Sequence, residues 1–113
     1  MKDQRLYLVH IHESIKKIEE YTKGGESSFS ADYKTQDAVV RNFEIIGEAA
    51  KRLSDETRQL APNIPWKEFA GFRDVLIHQY DGIDMVEVWL TVANDLPALK
   101  EAVNQLLQCD DLS

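Results

Sequence analysis

Three observations predict an all-α fold for this chain of 113 residues. Apolar residues recur at helical spacing in successive segments, no segment alternates apolar and polar positions as a half-buried strand would, and only five glycines and three prolines interrupt the pattern. The expected architecture is an antiparallel bundle of four main helices plus one short helix, with short connections. The length suits a single domain over residues 1–113, enough to bury about two thirds of the surface the unfolded chain exposes.

The first helix is expected from Asp3 to about Lys23, where Leu8, Ile11, Ile15 and Ile18 fall on one face and Glu13, Lys16, Lys17, Glu19 and Glu20 on the other. Gly24-Gly25-Glu26-Ser27-Ser28 reads as its stop, followed by a polar stretch with candidate N-caps at Ser30, Asp32 and Thr35. A second helix should run from near Thr35 to Leu53 and bury Val39, Phe43, Ile46, Ala50 and Leu53. Ser54-Asp55-Glu56-Thr57 can cap a short third helix that ends before Pro62. Pro65 suits the first position of the next helix, where its missing N–H is no loss, and Phe69, Phe72 and Leu76 supply the apolar face. Asp81-Gly82-Ile83 breaks that helix. Asp84 and Glu87 then form a capping box for a long last helix through Val88, Val92, Leu96, Leu99, Val103 and Leu106, kinked at Pro97.

Composition narrows the function classes. The single cysteine, Cys109, cannot form an internal disulfide, which favours a reducing, cytoplasmic setting. The first twenty residues lack a basic start followed by an apolar run, and no stretch approaches the length of a membrane span, so neither secretion nor membrane insertion is expected. The net charge of −7 opposes broad electrostatic binding to nucleic acid. Against that, Arg41, Lys51, Arg52, Arg58, Lys67 and Arg73 gather in the middle of the chain, while much of the acid lies toward its ends. An acidic surface also suits a basic protein partner.

Several constellations do not amount to sites. His10 and His12, two apart on a helix, face opposite ways, and no cysteine or third histidine lies nearby to complete a zinc site. Glu44 and Glu48 share a face, but Lys51 makes a solvated, salt-bridged stripe the simpler reading and leaves Glu48 only a supporting candidate. Gly24-Gly25 lacks the strand-loop-helix setting of a phosphate loop, and Trp66 and Trp89 are assigned to core or interface.

The octet Arg73-Asp74-Val75-Leu76-Ile77-His78-Gln79-Tyr80 is different, because it concentrates a permanent cation, an imidazole and a phenol in one helix-like segment. That set fits phosphodiester chemistry on RNA without a metal. The 2′-hydroxyl is an internal nucleophile, so a base to take its proton and a cation to hold the phosphate suffice. At about 100° per residue, Asp74 and His78 share a face, as do Arg73 and Tyr80, whereas Arg73 and His78 stand about 140° apart. An arginine and a histidine on one helix are by themselves most often a solvated face or a satisfied polar pair, so the string gains weight only from context.

Context comes from five blocks: Asp37-Ala38-Val39-Val40-Arg41-Asn42; Ile45-Ile46-Gly47-Glu48-Ala49; Ile64-Pro65-Trp66; Phe72-Arg73 through Tyr80; and Trp89 with Asp95-Leu96-Pro97-Ala98-Leu99. In order and spacing they resemble the HepT-like toxins of the HEPN superfamily over nearly the whole chain. The resemblance implies an all-helical HEPN-like fold and a metal-independent endoribonuclease without cofactors, whose R-x4-6-H signature is matched by Arg73, Asp74 and His78. It implies a homodimer in which the two signature segments face one another across a composite cleft. His78 is then the general acid and base, Arg73 the phosphate stabiliser, and Asp74 the group that orients the imidazole or a phosphate-bound water. It also implies a partner, a minimal nucleotidyltransferase of the MNT type acting as antitoxin, and Tyr80 as the residue that this partner adenylylates. The main rival reading is a non-catalytic HEPN binding subunit of a nucleotidyltransferase complex, which the acidic composition favours. A purely structural helical dimer with an incidental motif is the third.

Overall fold

The computed structural model describes residues 2–79 and 82–108, and every regular element among them is helical. The order is α1 (Lys2–Tyr21), α2 (Gly25–Ala31), α3 (Tyr33–Arg52), α4 (Asp55–Gln59), α5 (Trp66–His78), α6 (Met85–Leu90), a π-helical turn (Thr91–Asp95) and α7 (Leu96–Leu107). Helix α3 is the centre of the bundle, packed on α1 along one side and on α5 along another, and α7 closes over α1. No described helix is long and apolar enough to cross a membrane.

The expected stripes form the core. Leu8, Ile11, Ile15 and Ile18 of α1 are almost completely buried, as are Val39, Phe43, Ile46 and Ala50 of α3 and Leu99 and Val103 of α7. Each large aliphatic or aromatic side chain of this set stabilises the fold by about 1.5–3 kcal/mol relative to its exposed state. Between α3 and α5, Phe43 and Phe72 meet edge to face with ring centroids 5.5 Å apart.

Helix ends are fixed by short polar side chains. Of the three candidate caps before α3, Asp32 takes the role: its carboxylate accepts from the Lys34 N–H at 3.0 Å and from the Thr35 hydroxyl at 3.0 Å. Those two bonds, the Thr35 one foremost, hold its pKa below the ordinary carboxylate value. Ser54 caps α4 by accepting from Thr57 N–H at 3.1 Å, while its own N–H donates to Gln4 Oε1 at 2.7 Å and so ties the start of α4 to α1. Asp84 caps α6, accepting from Val86 N–H at 2.9 Å.

The structure departs from expectation in three places. Glycines 24 and 25 do end α1, but the segment after them is helix α2 rather than an irregular polar stretch, and it buries Phe29. The turn into α2 places Gly25 at φ 89°, a conformation open to glycine and strained for other residues. Phe29 stacks tilted on Trp89 at 5.5 Å, a long-range contact with no local signature. Secondly, the last helix is three pieces. Pro97 lacks an N–H and its ring crowds the preceding turn, and the wider π turn at Thr91–Asp95 absorbs the mismatch just before it. Thirdly, Pro65 stands one position earlier than expected, as the N-cap residue of α5.

Candidate functional site

Helix α5 carries the octet, and its placement depends on a glycine of the neighbouring helix. A Cβ added at Gly47 would collide with the Arg73 Cβ and come within 2.8 Å of the Phe69 carbonyl oxygen. Only a residue without a side chain lets α3 and α5 approach this closely, and the approach sets Glu48 of α3 beside Arg73 of α5.

The arginine is held on two sides. Its Nε forms an ion pair with Glu48 Oε1 at 3.1 Å, and its Nη1 donates to Asp74 Oδ1 at 3.1 Å, with the Arg73 side chain only a quarter exposed. Glu48 is shared: its second oxygen accepts from Arg52 Nε at 2.7 Å. The Arg52 hydrogen bond, supported by the nearby charge of Arg73, holds the Glu48 carboxyl below the ordinary glutamate range against a smaller opposing effect of partial burial. Arg52 is in turn more firmly protonated, chiefly through Glu48 and then through the neighbouring Tyr7 side chain. Glu48 therefore stays ionised, and it bridges two cations rather than sitting in a stripe with Lys51. Glu44 pairs with Arg41 at 3.6 Å.

His78 is the last residue of α5 and is exposed. Its Nδ1 lies 2.8 Å from the backbone carbonyl oxygen of Asp74, one helical turn back. A carbonyl oxygen only accepts, so Nδ1 carries the proton in this bond, and a neutral ring leaves Nε2 as the bare, basic nitrogen. Asp74 thus orients the imidazole through its main chain, while its carboxylate turns to Arg73.

Arg73 and Glu48 line a cleft of about 400 Å³ between α1, α3 and α5, together with Tyr7, His10, Arg41 and Arg52. His78 does not line it, as the 140° separation from Arg73 requires. The sequence-derived residues therefore fall into two groups: Arg73 and Glu48 in the cleft, with the Asp74 carboxylate paired to Arg73, and the imidazole outside it. Tyr80 lies outside the described residues. Tyr7, His10, Arg41 and Arg52 were not among the site candidates. Arg52 had a local signal, being four residues after Glu48 on the same helix face, whereas Tyr7 and His10 come from α1 and reach the cleft only through packing. Among the described residues, no group of three or more histidine, cysteine, aspartate and glutamate side chains is placed to hold a metal ion.

The chain resembles known proteins along most of its length. It is 49% identical over 108 residues to a gamma-glutamylcyclotransferase and candidate RNase of Methanocaldococcus jannaschii, an alignment covering 95% of this chain and 49% of that one. The chain thus spans about half the length of that relative. It is 46% identical over 101 residues to a probable ribonuclease HepT of Thermococcus cleftensis, covering 88% of this chain and 92% of the other. It is 41% identical over 109 residues to a candidate RNase of Caldanaerobacter subterraneus subsp. tengcongensis, covering 96% and 97%. No solved structure gives a significant match. Residues 11–106 match the family described as Ribonuclease HepT-like, and with an all-helical bundle carrying Arg73 and His78 at one helix end, the chain belongs to the HepT-like ribonuclease family.

Proposed function

We propose that the protein is a metal-independent endoribonuclease, the toxin of a toxin–antitoxin pair, acting in the cytoplasm as a homodimer. The observation that carries this reading is the Nδ1 contact of His78 with the Asp74 carbonyl at 2.8 Å, which fixes the tautomer and leaves Nε2 free, on the same helix as an arginine already held in a cleft. Nε2 takes the proton of an RNA 2′-hydroxyl, and the alkoxide attacks the adjacent phosphorus. The P–O5′ bond breaks, a 2′,3′-cyclic phosphate forms, and the departing 5′-oxygen takes a proton from the imidazolium of the pair. Arg73 stabilises the charge on the pentavalent phosphate. Because Arg73 and His78 of one chain face apart, the active unit takes the arginine of one copy with the histidine of the other across a composite cleft. The names of the relatives, ribonucleases and candidate RNases, support this reading.

An MNT-type nucleotidyltransferase is the partner in this proposal, silencing the toxin by adenylylating Tyr80. The added anion, beside the arginine, blocks the phosphate position. The net charge of −7 favours a second reading, a non-catalytic binding subunit of the same complex.

The test is induced expression of the wild type, His78→Ala and Arg73→Ala without any partner, following growth and total RNA integrity, with cleavage repeated in EDTA. Arrest and EDTA-resistant cleavage by the wild type alone are expected. Full cleavage by either variant sinks the scheme, and intact RNA with normal growth in all three supports the binding-subunit reading. Mass spectrometry of the Tyr80 peptide after co-expression with the nucleotidyltransferase checks the modification.

A further inference from the structure

Three of the chain's five arginines line one cleft, on a protein whose net charge is −7. The proposed chemistry uses only Arg73. Arg52 is held in a way that makes it the better anion fork of the two. Glu48 grips both guanidinium groups by their Nε atoms, one on each carboxylate oxygen. Arg73 also spends Nη1 on Asp74. Among the described residues, no carboxylate pairs with the two terminal nitrogens of Arg52, the Tyr7 side chain is a hydrogen-bonding neighbour of its guanidinium, and its side chain is 58% exposed. An arginine fork anchored at Nε by a carboxylate and free of any carboxylate at its terminal nitrogens suits a bidentate contact with two phosphate oxygens. The two carboxylates in the cleft do not cancel this: Glu48 is already paired twice and Glu44 faces Arg41, so the lining carries one more cation than anion, and His10 adds a donor.

We infer that Arg52, fixed by Glu48 and flanked by Tyr7 and His10, forms a second phosphate subsite that holds the RNA phosphodiester next to the one bound by Arg73. This rests on the nuclease reading for the identity of the anion. One carboxylate thus spaces two phosphate-binding cations, and substrates with two phosphodiesters bind better than those with one.

The experiment uses 2′-O-methyl RNA, which keeps the phosphates but has no internal nucleophile, so the full chain can be titrated without turnover. Dissociation constants are measured by calorimetry for a dinucleotide with one phosphodiester and a trinucleotide with two. A gain of roughly tenfold is expected from the second phosphate, the scale of a charge-assisted hydrogen-bonded contact. In Arg52→Ala the gain falls to below about twofold, Arg52→Lys retains part of it because a point charge replaces the fork, and Lys100→Ala, which deletes a remote surface charge, keeps it whole. Circular dichroism establishes that each variant is folded. A folded Arg52→Ala protein with the full gain overturns the proposal. Cleavage of unmodified RNA by the wild type is scored separately: cleavage without an Arg52-dependent gain defeats the subsite and keeps the nuclease, whereas an Arg52-dependent gain without cleavage does the reverse.

Discussion

Two glycines on the facing helices of this protein should respond oppositely to the same added methyl group. Gly47 lies in α3 against α5, where a Cβ would come within 2.8 Å of the Phe69 carbonyl oxygen and collide with the Arg73 Cβ. Ordinary contact begins at 3.4 Å, so the helices must part by at least about 0.6 Å, and both obstructing atoms belong to or adjoin the backbone and cannot swing away. Gly71, in α5, has nothing within 4 Å of its added Cβ. Alanine gains about 1 kcal/mol of helix propensity over glycine at either position. At Gly71 that gain stands alone, and Gly71→Ala should stabilise by about 0.5–1 kcal/mol. At Gly47 it is outweighed by overpacking near the upper end of the usual 1–3 kcal/mol, for a net loss of about 2 kcal/mol. Urea unfolding followed by circular dichroism at one protomer concentration reads both changes as midpoint shifts at constant slope. A Gly47→Ala protein as stable as the wild type would falsify the claim that close helix approach at Gly47 places Arg73.

Further outcomes follow from the same geometry. Phe29→Ala should cost about 3–5 kcal/mol and change the fluorescence of its neighbour Trp89; a cost under about 1 kcal/mol would mean that α2 is not part of the core. The depressed pKa of Asp32 means that its ionised form caps α3, so its contribution is present above the ordinary carboxylate pKa and disappears as pH falls through the lowered folded value. The stability difference between the wild type and Asp32→Asn should therefore shrink on acidification, as followed by thermal melts across the acid range. Glu48→Gln removes the charge shared by Arg52 and Arg73, and should lower RNA cleavage by up to about 100-fold through misplacement of Arg73, without comparable loss of fold. Unchanged cleavage in that variant would show that Arg73 needs no such anchor.

Much of the fold is legible in the chain because the information is periodic and local. The stripes Leu8–Ile18 and Val39–Ala50 announce helices wherever they are read, and Asp32, Ser54 and Asp84 cap them with side chains adjacent in sequence. Helix α2 was missed because its one buried anchor, Phe29, depends on Trp89, sixty residues away. Apolar spacing carries across Pro97, so the sequence predicts a single kinked last helix, while the π turn that divides it is a backbone adjustment without a side-chain signature.

The candidate site divides in the same way. Sequence alone determined the chemical set, Arg73, Asp74 and His78, and the 140° that keeps arginine and imidazole apart, because both follow from residue identity and helical pitch. The structure adds, within the same helix, that Asp74 serves the imidazole with its carbonyl and the arginine with its carboxylate, since both are possible at that spacing. Only the tertiary structure decided that Glu48, already beside Arg52 on α3, also pairs with Arg73, because that contact crosses two helices whose separation is set by the missing side chain of Gly47. Pattern along one helix is written in its own residues; the distance between two helices belongs to the pair.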